Sequence, residues 1–168
     1  PARIAVCAGH PRWTHLSRLE ASLTRLMVAT GGTYITQSPV EMIALGRGRL
    51  EALDKDDARL CRDYACPELT LEEFSRWVSL HGRVFFDVSV WMDELARYDL
   101  VIGSRIHGVM LALQAGVPGL CIAHDSRTRE LCETMMVPFV MSSDVINGIG
   151  RDQLGGLFDF DPDAFDRN

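Results

Sequence analysis

The chain has 168 residues, 47% of them hydrophobic and 24% charged, which is the make-up of one ordinary globular domain with its own core. A formal net charge of -6 and the lack of any basic stripe argue against a nucleic-acid partner. No apolar stretch approaches the length of about 18 residues that spans a bilayer, so no membrane span is expected. Five scattered cysteines (Cys7, Cys61, Cys66, Cys121, Cys132) form no C-x-x-C pair and fit a reducing, cytoplasmic compartment. Beginning at Pro1, the chain reads as a trimmed protein or a piece of a longer one.

Taken in order, Arg3 to Ala8 is a short apolar run with the profile of a buried parallel strand. Leu16, Leu19, Leu23, Leu26 and Met27 then mark one face of a helix that Gly31-Gly32 stops. Thr33 to Thr36 reads as a second strand, completing a β–α–β unit. Residues 39–82 are the least strand-like part. Within them Glu51 to Tyr64 reads as a charged surface helix. Thr70 and Glu73 then form a capping box, with Leu69 and Phe74 as the hydrophobic staple, at the start of a helix ending near Gly82. Val84 to Phe86 is a strand candidate. Asp87 caps a helix whose Val88, Trp91, Met92 and Leu95 share one buried face. Leu100 to Ile102 and Gly119 to Ala123 are buried strands. Between them runs an apolar helix, with Val109, Leu111 and Leu113 expected deep in the core, that Gly116 and Pro118 end. Asp125 or Ser126 caps one more helix, running through Leu131 and Met135, and Phe139-Val140 is a last strand. The alternation predicts an α/β fold: a doubly wound, parallel, Rossmann-like sheet over residues 1–158, followed by an acidic tail at 159–168 that is either frayed or docked on a missing partner.

Ligands of such sheets bind outside the carboxyl ends of the strands. Gly9 to Trp13, Gly103 to Gly108 and His124 to Arg127 all fall there. Ser104, Arg105 and His107 bring a hydroxyl, a permanent cation and an imidazole to the opening of a helix, which suits a small anion. An extended turn would aim Arg105 and His107 the same way, with Ile106 turned into the core. The blander reading makes Arg105 a structural clamp and His107 a capping or core residue. His124 and Arg127 are further candidate contacts, although Asp125 and Ser126 are also explained as a helix cap. His10 is a weaker candidate after the first strand, in a loop without the G-x-G-x-x-G of a dinucleotide site. No histidines stand at metal-ligand spacing.

The run Ser104-Arg-Ile-His-Gly108, its apolar helix, Ala115-Gly-Val-Pro118 and His124-Asp-Ser-Arg-Thr-Arg-Glu-Leu131 resembles the polysaccharide pyruvyl transferase family. The resemblance is dense from about Asp87 to Leu131 and fades on both sides. It implies a GT-B-like architecture of two Rossmann-like halves, this chain being the C-terminal half, with a missing N-terminal domain as partner. It further implies transfer of the enolpyruvyl unit of phosphoenolpyruvate onto two hydroxyls of an exopolysaccharide, cell-wall glycan or lipid-linked sugar, forming a ketal. Phosphoenolpyruvate is the donor substrate and no cofactor is implied. Arg105 would hold its phosphate or carboxylate, and His107 would be the acid or a phosphate ligand, with Ser104, Gly108, His124, Asp125, Ser126, Arg127 and His10 as substrate contacts. The isolated chain is expected to be inactive. Two other functions compete. One is half of a nucleotide-sugar glycosyltransferase, with Glu130 on the donor ribose; the other is a non-catalytic docking module.

Overall fold

The computed structural model describes residues 2–157. Six strands, β1 (Ile4–Cys7), β2 (Tyr34–Thr36), β3 (Gly82–Val84), β4 (Leu100–Gly103), β5 (Gly119–Ala123) and β6 (Phe139–Met141), form one sheet. All five pairings are parallel, and the order is β3-β2-β1-β4-β5-β6. The helices are α1 (Ser17–Ala29), α2 (Val40–Gly46), α3 (Lys55–Ala65), α4 (Leu71–His81), α5 (Val88–Leu95), α6 (Ile106–Gln114) and α7 (Ser126–Thr134). The doubly wound fold expected from the alternation is therefore the fold observed. From β1 the chain winds outward to β2 and β3, then returns to place β4 on the other side of β1. The β1/β4 junction is the switch point at which such sheets leave a crevice.

Short apolar strands can be buried on both faces because successive side chains point to opposite sides. Ile4, Val6, Leu100, Ile102, Leu120 and Ile122 pack with α1, α3 and α4 on one side. Ala5, Cys7, Ile35 and Val101 meet Leu95 and Ala112, from α5 and α6, on the other. Ile106, Val109, Cys121, Cys132 and Val137 make a third cluster where α6 and α7 cover β5.

Several boundaries depart from the sequence reading. Helix α2 was not foreseen; its seven residues are too short to display a period, and Pro39 rather than a polar side chain stands at its N-cap. The third strand lies two residues earlier than Val84–Phe86, because Gly82 turns extended directly after α4. Phe85 instead stacks on Trp91, and Phe86 stays 73% exposed beneath Arg47. The 51–64 helix is not merely a surface element: Asp54 caps it, and Ala58, Cys61, Tyr64 and Ala65 are buried along it. In α5 only Leu95 of the expected face is fully buried, and Val88 faces solvent. Val109 is deeply buried as expected, but Leu111 and Leu113 are only half-buried, since α6 covers one face of the sheet and is itself uncovered outside. The Thr70/Glu73 capping box forms as read. The acidic stretch 159–168 lies outside the described residues.

Two glycines set how closely the elements meet at the switch point. A Cβ on Gly103 would strike the Cys7 carbonyl, and one on Gly108 would strike the Cys7 sulfur. The opening of α6 therefore rests directly on the end of β1. Gly108→Ala is expected to cost about 1–3 kcal/mol, the range for overpacking. Adding Cys7→Ala should return part of it, and urea unfolding of both single variants and the double variant measures the coupling. Strictly additive losses would place the crowding elsewhere.

Candidate anion site

Three loops end at the carboxyl edge of the sheet beside the switch point: residues 9–13 after β1, Ser104 and Arg105 after β4, and His124 and Asp125 after β5. They enclose a cleft of about 270 Å³ lined by Trp13, Ser104, Arg105, Ile106, His107, His124, Asp125, Arg127, Thr128 and Leu131. Six of the nine site residues expected from sequence thus share one cleft. Three stand outside it. Gly108 is committed to packing on Cys7, Ser126 is the exposed first residue of α7, and His10 lies behind Trp13, its ring centroid 5.6 Å away. Glu130, the residue weighed for a donor ribose, does not line the cleft either.

The helices differ in capping, with no side-chain cap bond on α1 and α2. Asp54, Thr70, Asp87 and Asp125 cap α3, α4, α5 and α7 with side-chain oxygens. Helix α6 has Arg105 at its N-cap, a residue with no acceptor to offer, and no side-chain cap bond. Its first-turn N–H groups, including those of His107 and Gly108, therefore keep their positive end free for an anion. The extended turn expected from sequence reaches only Arg105. The helix begins at Ile106, so helical geometry rather than strand alternation directs His107, which is exposed on the cleft.

Arg105 is half-buried. Its Nη2 donates to the Ser38 carbonyl oxygen at 2.7 Å, and its Cζ lies 5.2 Å from the centroid of the Trp13 ring, a cation–π contact. It makes no ion pair among the described residues. Burial pulls its pKa below the ordinary guanidinium value, and the nearby Tyr64 and Glu20 oppose that. The opposite face of the cleft is His124, stacked on Trp13 at 4.0 Å between centroids, with its Nε2 3.7 Å from the Asp125 carboxylate. Burial lowers the His124 pKa below 6.5, while Asp125 pulls the other way. Asp125 itself accepts from the Thr128 amide at 2.7 Å, and the Thr128 hydroxyl together with that amide holds its carboxyl below the usual range.

Three buried polar atoms on this cleft have no hydrogen-bond partner among the described residues: Ser104 Oγ, Arg105 Nε and His124 Nδ1. Buried polar groups are nearly always paired, so unpaired ones gathered around one small hollow mark it as a candidate polar site, with Ser104 Oγ beside the Tyr64 hydroxyl. A larger hollow of about 590 Å³, between α1 and residues 147–153, has no such atom in its lining. For that reason the smaller cleft is the better candidate. Among the described residues no group of three or more His, Cys, Asp or Glu could hold a metal ion.

Sequence reasoning missed what lies under the cleft. Glu20 of α1 is 2% exposed, and its carboxylate accepts from the Gly9 amide (3.1 Å), the Tyr34 hydroxyl (2.6 Å) and the Tyr64 hydroxyl (3.3 Å). Burial pushes its pKa up, against those three bonds and Arg105. The signal was present: Glu20 interrupts the apolar stripe of α1 between Leu16 and Leu23, one turn from each, where a solvated carboxylate has no place. Arg12 ties the same loop to Glu41 (3.5 Å) and Asp57 (3.8 Å), but its side chain is 64% exposed. Such a pair contributes about 0–1 kcal/mol, against about 1.5–3 kcal/mol for a buried hydrogen bond to a charge. The buried carboxylate dominates the placement of the 9–13 loop.

Residues 47–126 match the family model described as polysaccharide pyruvyl transferase, a little under half of the chain. The match supports the resemblance carried by Ser104–Gly108 and begins well before Asp87, where the resemblance was first dense. It takes in Tyr64, Ser104, Arg105, His107 and His124, but not the 9–13 loop or Glu20. No curated protein and no solved structure matches the chain significantly. No described helix is long and apolar enough to cross a membrane.

His124 makes the acid side of the stability curve testable. Its folded pKa is depressed, so the unfolded chain takes up a proton that the fold refuses once pH drops through about 6.5. Stability is therefore full above that value and declines as pH falls toward the folded pKa. His124→Asn should flatten this part of the decline in denaturant midpoints measured between pH 7.5 and 5. An unchanged slope would mean that the ring is solvated.

Proposed function

We propose, taking membership of residues 47–126 in the polysaccharide pyruvyl transferases as premise, that the cleft binds phosphoenolpyruvate and serves transfer of its pyruvyl unit to a glycan. The observation that carries this reading is the convergence of Ser104 Oγ, Arg105 Nε and His124 Nδ1, unpartnered and buried, beside the uncapped opening of α6. Phosphoenolpyruvate is a small acid with two anionic ends, and the cleft offers two groups of donors. Arg105 has Nη2 bonded to the Ser38 carbonyl, and the rest of its guanidinium fork serves one carboxylate or phosphate oxygen. The α6 amides, Ser104 and Arg127 serve the other end.

The chemistry asks for a proton at the methylene carbon. Its arrival turns C3 into a methyl group and makes C2 an oxocarbenium-like electrophile. One sugar hydroxyl adds to C2 and loses its proton. The C2–O bond to phosphate then breaks, and a second hydroxyl of the same sugar adds to C2 and gives up its proton to the departing phosphate, closing the ketal with hydrogen phosphate as the other product. In this reading His107, exposed at the helix opening, donates the first proton. Arg105 and the helix opening stabilise the charge that collects on the departing phosphate. With His107 open to solvent, the isolated chain binds the donor but does not exclude water. In this reading the glycan and the remaining wall of the site come from elsewhere, consistent with the two-domain architecture of the family resemblance.

Trp13 lines the cleft, so indole fluorescence reports occupancy. Phosphoenolpyruvate should quench or shift it saturably, and uridine diphosphate should not. The opposite ranking would favour a nucleotide-sugar donor, and silence to both a docking module. Arg105→Ala should weaken phosphoenolpyruvate binding by about 1.5–3 kcal/mol, the range for a charge-assisted contact, with the thermal midpoint little changed. In the full-length protein, His107→Gln should lower turnover far more than affinity; equal losses in both would make His107 a ligand contact only.

A further inference from the structure

The cleft has a floor as well as walls, and the floor is tied to a charge that never reaches it. Tyr64, buried on α3, turns its hydroxyl to Glu20 at 3.3 Å, and that hydroxyl together with Ser104 Oγ fills the space where a side chain on Gly9 would stand. Glu20 also holds the Gly9 amide, at the root of the loop that carries Trp13. One buried carboxylate thus anchors the end of β1 and, through Tyr64, crowds the Ser104 hydroxyl that opens the Arg105 turn.

We propose that Glu20 is a positioning residue of this site: through the Gly9 amide and the Tyr64 hydroxyl it sets the separation between the Trp13 wall and the Ser104–Arg105 floor. The inference rests on the anion-binding reading for its consequence, but its structural content stands apart from it. Glu20 does not line the cleft. Its third donor, Tyr34, packs against Trp77 in the core on the α4 side, ring centroids 5.3 Å apart, and does not line the cleft. The two tyrosines therefore separate positioning from plain stability. Both bind the same carboxylate, and only Tyr64 connects it to the cleft.

The test has two arms. In the first, without ligand, hydrogen exchange is followed by mass spectrometry in the wild-type chain and in the Glu20→Gln, Tyr64→Phe and Tyr34→Phe variants. Glu20→Gln and Tyr64→Phe should speed exchange of the peptide spanning residues 8–14 by at least about fivefold, leaving β4 and β5 protected. Tyr34→Phe should leave that peptide unchanged while lowering the thermal midpoint. In the second arm, phosphoenolpyruvate and inorganic phosphate are titrated against indole fluorescence. Tyr64→Phe should weaken both anions by about five- to tenfold, and Tyr34→Phe by less than about twofold. If the 8–14 peptide is indifferent to Glu20→Gln and Tyr64→Phe, or if Tyr34→Phe matches Tyr64→Phe in both arms, the proposal is overturned and Glu20 is only a core anchor. Wild-type chain that takes up neither anion would sink the phosphoenolpyruvate reading, while the exchange arm still decides the role of Glu20.

Discussion

Everything at the carboxyl edge of this sheet follows from how closely α6 can lie on β1. Gly108 meets the Cys7 sulfur and Gly103 meets the Cys7 carbonyl, with no room for a Cβ at either position. That approach brings the opening of α6 to the switch point between β1 and β4, where two loops diverge and a crevice must remain. A bulkier residue at Gly108 would lift the helix and carry Ser104, Arg105 and His107 away with it. Charge and hydrogen-bonding capacity at the site are thus consequences of a packing distance.

Within that frame the site joins two opposed electrostatic arrangements. On the cleft side, an arginine without a carboxylate partner and a helix opening without a cap leave positive potential uncompensated. On the core side, a carboxylate fully withdrawn from water is held by one amide and two phenols. Removing a charge from water costs several kcal/mol, and a fold keeps such a group only where its hydrogen bonds offset much of that cost. The two arrangements meet at Tyr64, whose hydroxyl donates to Glu20 and, with Ser104 Oγ, fills the space beside Gly9. In a chain of net charge -6, positive potential at this edge is a local concentration and not a long-range field.

The exposed apolar residues tell a complementary story about burial. Phe86, Val88 and Val90 follow β3 and face solvent, although by periodicity alone Val88 belonged to a core face. Helical spacing specifies that residues share a stripe; it does not specify that the fold supplies something to cover it. Leu131, on the helix read as running through it, lines the cleft and is 38% exposed.

By itself the amino-acid order determined the doubly wound sheet, the Thr70 and Asp87 helix starts and the position of the Ser104–Gly108 element at a strand end. These are readable because periodicity, caps and turns are local, set by residues within one or two turns of each other. It did not determine which histidines face one hollow, that Trp13 stacks between Arg105 and His124, or that Glu20 and Tyr64 meet under Gly9. Those contacts join α1, α3 and three separate loops, with 44 positions between Glu20 and Tyr64 alone. Only the closing of the sheet around β1 could bring them together, because the partners of a buried polar group are chosen by packing in three dimensions and leave no period in the chain.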